Sequence, residues 1–159
     1  MALNLIFDRA EEAAIRLKEL KAIGSDNWTA DEREEWFLTI NRGGYNISDY
    51  NRVESAVQQL ATTLNSLGYA TLLQTKTDWA EGYTPAPADL DRYIANIHTL
   101  RPILPTLPGT PEAPATMDGI DWQGANDIEK ILLDIETVIE RMVAAFWYMG
   151  ELFMGEVME

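Results

Sequence analysis

Glu54 and Glu129 are the first residues in this chain to weigh as catalysts. Each follows an asparagine by three positions, in Tyr50-Asn51-Arg52-Val53-Glu54 and Ala125-Asn126-Asp127-Ile128-Glu129, and the two motifs stand 75 residues apart. Two carboxylates facing each other across a cleft, with separated pKa values, perform general acid–base hydrolysis. The positions of this pair argue for a different role. Each glutamate lies about 100° around its helix from the centre of the apolar stripe, and an Asn-x-x-Glu spacing near a helix start is that of a backbone-capping pair. Asn51 also fits inside a helix capped by Ser48, bonding outward to a neighbouring helix, a role that Asn96 fits as well.

The remaining reactive residues are sparse. The chain has no cysteine, which removes disulfides, thiolate nucleophiles and zinc-thiolate sites. His98 is the single histidine and falls beside Ile94 and Ile97, where a packed or edge histidine is expected rather than a ligand or base. Asp118 to Glu129 has the length of a calcium-binding loop, but Ile120 and Trp122 occupy positions where oxygen ligands belong and Gln123 replaces the turn glycine. No serine sits in a nucleophile-elbow context and no glycine loop resembles a phosphate cradle. The expectation is therefore no catalytic residue, no metal and no cofactor.

The elements that carry these residues read as helices. Val53, Val57, Leu60, Leu64 and Leu67 form one stripe and Ile128, Leu132, Ile135, Ile139 and Met142 another. Asp8 to Lys21 reads as a helix stopped at Gly24, and Thr29-Ala30-Asp31-Glu32 as a capping box that starts a short helix through Trp36, Phe37 and Ile40. A third helix runs from Ser48 to Gly68, a fourth from about Asp89 to Arg101, and the longest from Asn126 to about Phe153. Residues 69–79 read as an extended, hairpin-like excursion, since Thr71-Leu72-Leu73-Gln74-Thr75 has strand character. The expected fold is an all-α, single-domain bundle of about five helices spanning 1–159.

Prolines at 102, 105, 108, 111 and 114 repeat every third residue. Polyproline II has three residues per turn, so this spacing places the rings on one edge of a rod of about 40 Å. Arg101 stands four residues before Pro105 rather than the three usual in a proline-groove ligand. A stiff connector over 102–119, lying along the bundle, is the expected use.

The segment Gly43-Gly44-Tyr45-Asn46-Ile47-Ser48-Asp49-Tyr50-Asn51-Arg52-Val53-Glu54 resembles a family of small tail or baseplate-type structural proteins of phages and prophages of gut Firmicutes. The likeness continues through Lys76-Thr77-Asp78-Trp79, Arg92-Tyr93-Ile94-Ala95-Asn96, Ala125-Asn126-Asp127-Ile128-Glu129 and Tyr148-Met149-Gly150-Glu151. The chain departs from the pattern where Met149 and Met154 precede glycines. The resemblance implies a virion context, with other virion proteins as partners, and no reaction.

Composition limits the partners. A formal charge of −14, from 26 acidic and 12 basic residues, opposes binding to phosphate backbones, so neither nucleic acid nor an anionic membrane is expected. Met1 to Asp8 lacks the basic start of a secretory signal, and the apolar run from Met142 to Met149 is far short of the roughly 20 residues that span a bilayer. A chain made in the cytoplasm, and carried in the virion once assembled, is the expectation. The tryptophans at 28, 36, 79, 122 and 147 are spread rather than clustered, which favours core and turn anchors over a sugar platform.

The carboxyl-terminal segment 143–159 is apolar nearly all round, and one bundle face does not hide all of it. Trp147, Tyr148, Phe153 and Met154 are the candidate interface residues, of types enriched in interface cores. Intramolecular cover by Leu3 to Phe7 and the loops is the competing expectation. The sequence thus points to a non-enzymatic assembly protein that contacts itself or other virion proteins. A carbohydrate-contacting module and a small acidic hydrolase are the alternatives.

Overall fold

The computed structural model describes residues 2–155, with side chains defined except at 39–41 and 149–155. Its elements are α1 (Glu11–Ile23), a 3-10 turn at Ser25–Asn27, α2 (Ala30–Gly43), α3 (Ile47–Ser66), α4 (Pro87–Leu100) and α5 (Trp122–Gly155). Five α-helices and, among the described residues, no strand make this an all-α protein.

The apolar stripes meet in one core. Val53, Val57, Leu60 and Leu64 of α3 pack with Tyr93, Ile94, Ile97 and Leu100 of α4 and with Ile128, Ile131, Leu132, Ile135 and Ile139 of α5. Fully burying one such side chain is worth roughly 1.5–3 kcal/mol, so this seam is the main source of stability. Leu67 and Met142, at the ends of their stripes, are half-buried against it.

α1 and α2 pack mainly on each other and touch the bundle sparsely. Arg16 grips Glu35 with two hydrogen bonds of 2.7 Å, and the Trp28 indole donates to the Leu20 carbonyl at 2.8 Å. The expected capping box starts α2: Thr29 Oγ1 accepts from Glu32 N at 3.2 Å, and Glu32 Oε2 accepts from Thr29 N at 2.9 Å. At the other end of α2, a Cβ on Gly43 would lie 2.3 Å from the Ala13 carbonyl oxygen, so only glycine lets the two helices close.

Four expectations are corrected. α1 starts at Glu11, because Asp8 and Arg9 are held extended by bonds to α5 described below. Asn46, not Ser48, caps α3: its side chain accepts from Ser48 N and Asp49 N, while Asp49 Oδ2 accepts from Asn46 N at 2.8 Å. Residues 69–79 are extended but form no hairpin, since Asn65, Asn51 and Glu54 take up their backbone groups. The proline segment is not one straight rod. Turns at 101–104 and 108–109 break it, with Gly109 at φ 87°, and it lies against α4, where Arg101 Nε donates to the Pro111 carbonyl at 2.8 Å and His98 Nε2 bonds that of Pro114 at 2.9 Å.

Candidate functional site

The two Asn-x-x-Glu motifs are not caps. Both sit inside their helices and each pins an extended segment. On α5, the Asn126 amide brackets Arg9, its Oδ1 accepting from Arg9 N at 3.2 Å and its Nδ2 donating to Arg9 O at 2.9 Å. One turn on, Glu129 Oε2 accepts from Ile6 N at 2.5 Å, and Glu136 accepts from Leu3 N at 3.1 Å. Three extended residues cover about 10 Å and seven helical residues about 10.5 Å, so Leu3 and Ile6 fall opposite Glu136 and Glu129. This segment, residues 3–9, is a strap running antiparallel to α5.

α3 repeats the device with the same offsets. Asn51 Oδ1 accepts from Trp79 N at 2.8 Å and its Nδ2 donates to Trp79 O at 3.0 Å, while Glu54 Oε2 accepts from Lys76 N at 3.1 Å. In each case asparagine pinches one strap residue and glutamate takes the N–H three residues earlier. The straps also match in sequence: Leu3-Asn4-Leu5-Ile6-Phe7-Asp8-Arg9 and Leu73-Gln74-Thr75-Lys76-Thr77-Asp78-Trp79 share a leucine, an amide residue and an aspartate in register. That faint match, 70 residues apart, is the signal from which the straps were readable.

Arginines neutralise both glutamates. Arg92 of α4 binds Glu54 at 2.7 and 3.1 Å, and also donates to Gln74 O at 2.6 Å beside Asn96 at 2.8 Å. Glu129 meets Arg9 at 2.8 Å and Arg52 at 2.6 and 3.1 Å, and Asp49 accepts from both arginines. Two guanidinium groups and two carboxylates thus close a neutral ring. Burial alone would lower the Arg52 guanidinium, but its hydrogen bonds to Glu129 and Asp49 prevail and hold it above the ordinary arginine value. Beside the ring, Arg9 lies 5.5 Å from the Tyr45 ring centroid, and Tyr45, Tyr50 and Tyr93 pack edge to face. Trp79 continues the cluster, 5.5 Å from Tyr50.

Glu54 is 1% exposed and Glu129 is wholly buried. With their oxygens engaged by arginines and backbone N–H groups, these carboxylates tie the straps to the bundle. Among the described residues no group of three or more His, Cys, Asp or Glu side chains is arranged to hold a metal ion, and no helix is long and apolar enough to cross a membrane. His98 lies at the exposed edge of α4.

No protein-family model, curated protein or solved structure matches this chain. The geometry stands by itself.

The candidate interface is at the far end of α5. Trp147 is 72% exposed and Tyr148 71%, with Phe146 at 64%. Side chains at Phe153 and Met154 lie outside the described residues. Leu3 to Phe7 do not cover this end, because the strap runs beside Glu129 and Glu136. Of the other tryptophans, Trp79 is buried, and Trp28 and Trp36 pack on each other with centroids 4.7 Å apart.

Proposed function

We propose that this protein is a non-enzymatic structural component of a phage or prophage particle that assembles through protein–protein contacts at the carboxyl-terminal end of α5. The observation that carries the reading is the run of exposed aromatic residues at 146–148. A helix of 34 residues is about 51 Å long and one of 20 residues about 30 Å, so α5 outruns α3, and its core contacts end near Met142 and Val143. Large aromatic side chains each bury 150–250 Å² when covered, and three in succession face more than one side of a helix. A partner surface gives them what the bundle does not.

The particle context rests on the resemblance noted above. The hydrolase alternative is disfavoured because its two candidate acids are neutralised and sealed. Trp79, Trp28 and Trp36 are spent on internal packing, so a carbohydrate-contacting role would have to use the same aromatic run at 146–148. Replacing Trp147 and Tyr148 together with alanine is expected to lower the particle mass in light scattering while leaving helical circular dichroism intact, because exposed substitutions usually change stability by less than about 0.5 kcal/mol. An oligomer of unchanged mass in that double variant overturns the reading.

A further inference from the structure

Around the two Asn-x-x-Glu clamps the charged side chains are spent on one another and on the straps. One cleft differs. It opens between α1 and the start of α5, encloses about 390 Å³, and has Glu11, Ile15 and Lys18 on one wall and Asp121 and Trp122 on the other. That volume falls within the range of small-molecule sites, about 300–1,000 Å³.

The polar groups facing this cleft are unspent. Among the described residues, Glu11 and Lys18 make no ion pair and no side-chain hydrogen bond, and the Trp122 indole N–H has no acceptor. Arg16, on the same helix, shows the contrast, since it pairs with both Glu19 and Glu35. Glu11 and Lys18 do not pair because seven residues separate them, which is two turns and about 10.5 Å of helix. They share a face, so an anion and a cation line one cleft without neutralising each other. Across from them, Asp121 Oδ1 accepts from Gly124 N at 2.8 Å, and its other oxygen has no donor.

We propose that this cleft binds a short zwitterionic peptide of about two residues, with its ammonium group on Glu11, its carboxylate on Lys18 and an apolar side chain against Ile15 and Trp122. The signs of the charges select the class. A phosphate ester or other simple anion meets Glu11 and Asp121 as like charges, and the formal charge of −14 repels it at long range. A simple amine meets Lys18 in the same way. A zwitterion satisfies both ends.

The spacing selects the length. A charge-assisted hydrogen bond takes up about 2.8 Å at each end, which leaves about 5 Å between the ligand's own charges. A free amino acid carries both charges on one carbon and is too short to reach the two ends together. Two extended residues span at most about 7 Å and reach both. Ile15 is half-exposed and Trp122 half-buried, so an aliphatic and an aromatic surface are open to one side chain between them. Trp147 lies about 38 Å further along α5 than Trp122, so the proposal goes beyond the assembly reading and does not depend on it.

The test titrates alanyl-phenylalanine into the full chain, labelled with 15N, and follows the backbone amide shifts. Binding predicts saturable shifts at Ile15, Lys18 and Trp122. Acetylating the peptide's amino group, or amidating its carboxylate, weakens binding about tenfold or more, the usual worth of a hydrogen bond to a charged group. Glu11 and Lys18 are exposed, so Glu11→Gln and Lys18→Met leave the fold intact. Lys18→Met then loses the preference for the free peptide over the amide, and Glu11→Gln the preference over the acetylated form. Absence of saturable shifts around the cleft at millimolar peptide overturns the proposal. Equal affinity for the free and blocked peptides overturns it too, because the apolar walls alone would then hold the ligand.

Discussion

Glu129→Ala lowers the unfolding free energy by about 3–5 kcal/mol, the loss expected when one member of a buried ion pair is removed and its partner keeps its charge. Arg9 is completely buried and Arg52 half-buried, and both lose a carboxylate, while Ile6 N loses its acceptor. The same change at the matching position costs less. Arg92, which faces Glu54, is partly exposed and turns to water when its partner is removed. The order Glu129→Ala worse than Glu54→Ala is therefore as informative as the size, and both are read from urea denaturation midpoints. Glu129→Gln lies between wild type and Glu129→Ala, because the amide oxygen still accepts from Ile6. A loss below about 1 kcal/mol in Glu129→Ala would show that the ring holds nothing together.

The second large effect is alkaline. Tyr93 is buried and Tyr45 half-buried, with their hydroxyl groups in contact. Burial pushes both phenols above the ordinary value near 10. The charge of Glu129 adds to the rise in each, and Tyr50 moves the same way through burial and Asp49. A phenol whose folded pKa is raised contributes stability that is fully present below the unfolded value. That stability is lost as pH climbs from about 10 towards the folded value, because the unfolded chain releases its protons first.

Tyr45 and Tyr93 together remove up to roughly 2–3 kcal/mol between pH 10 and pH 11, at about 1.4 kcal/mol per group per unit. Arg52 and Arg92 are also raised, so their pairing is retained throughout this window. Denaturation followed by circular dichroism at pH 9, 10 and 11 measures the slope, and Tyr45→Phe with Tyr93→Phe flattens it. Equal stability at pH 9 and pH 11 in the wild type contradicts this account of the cluster.

What was legible in the sequence was what is local or periodic. The stripe from Val53 to Leu64 and that from Ile128 to Ile139 announced buried helix faces, because a spacing of three and four has one geometric meaning. Thr29 and Glu32 announced their capping box because both partners lie within one turn. The clamps defeated the same reasoning for a physical cause. An asparagine and a glutamate three apart face the same way on a helix whether they meet the helix's own backbone or a strap from elsewhere, and the strap was 28 residues away in one case and 117 in the other.

Asp8 and Arg9 were misplaced in a helix for the same reason, since distant bonds to Asn126 and Glu129 override local propensity. The proline period was real, but Gly109 and the bonds from Arg101 and His98 to the segment's carbonyls bend it onto α4. The exposed aromatic residues near the end of α5 were legible as an excess, since more apolar surface stood there than one bundle face covers.

The central claim is that the protein works by surface contact at the end of α5 while its acids hold the fold together. Amide hydrogen exchange of the intact chain, compared between dilute and concentrated solutions, tests both halves at once. The account predicts that protection over residues 143–155 rises with concentration, while the straps at 3–9 and 73–79 stay protected throughout. Exchange at 143–155 that is equally fast at every concentration, in a chain whose straps are protected, would contradict it.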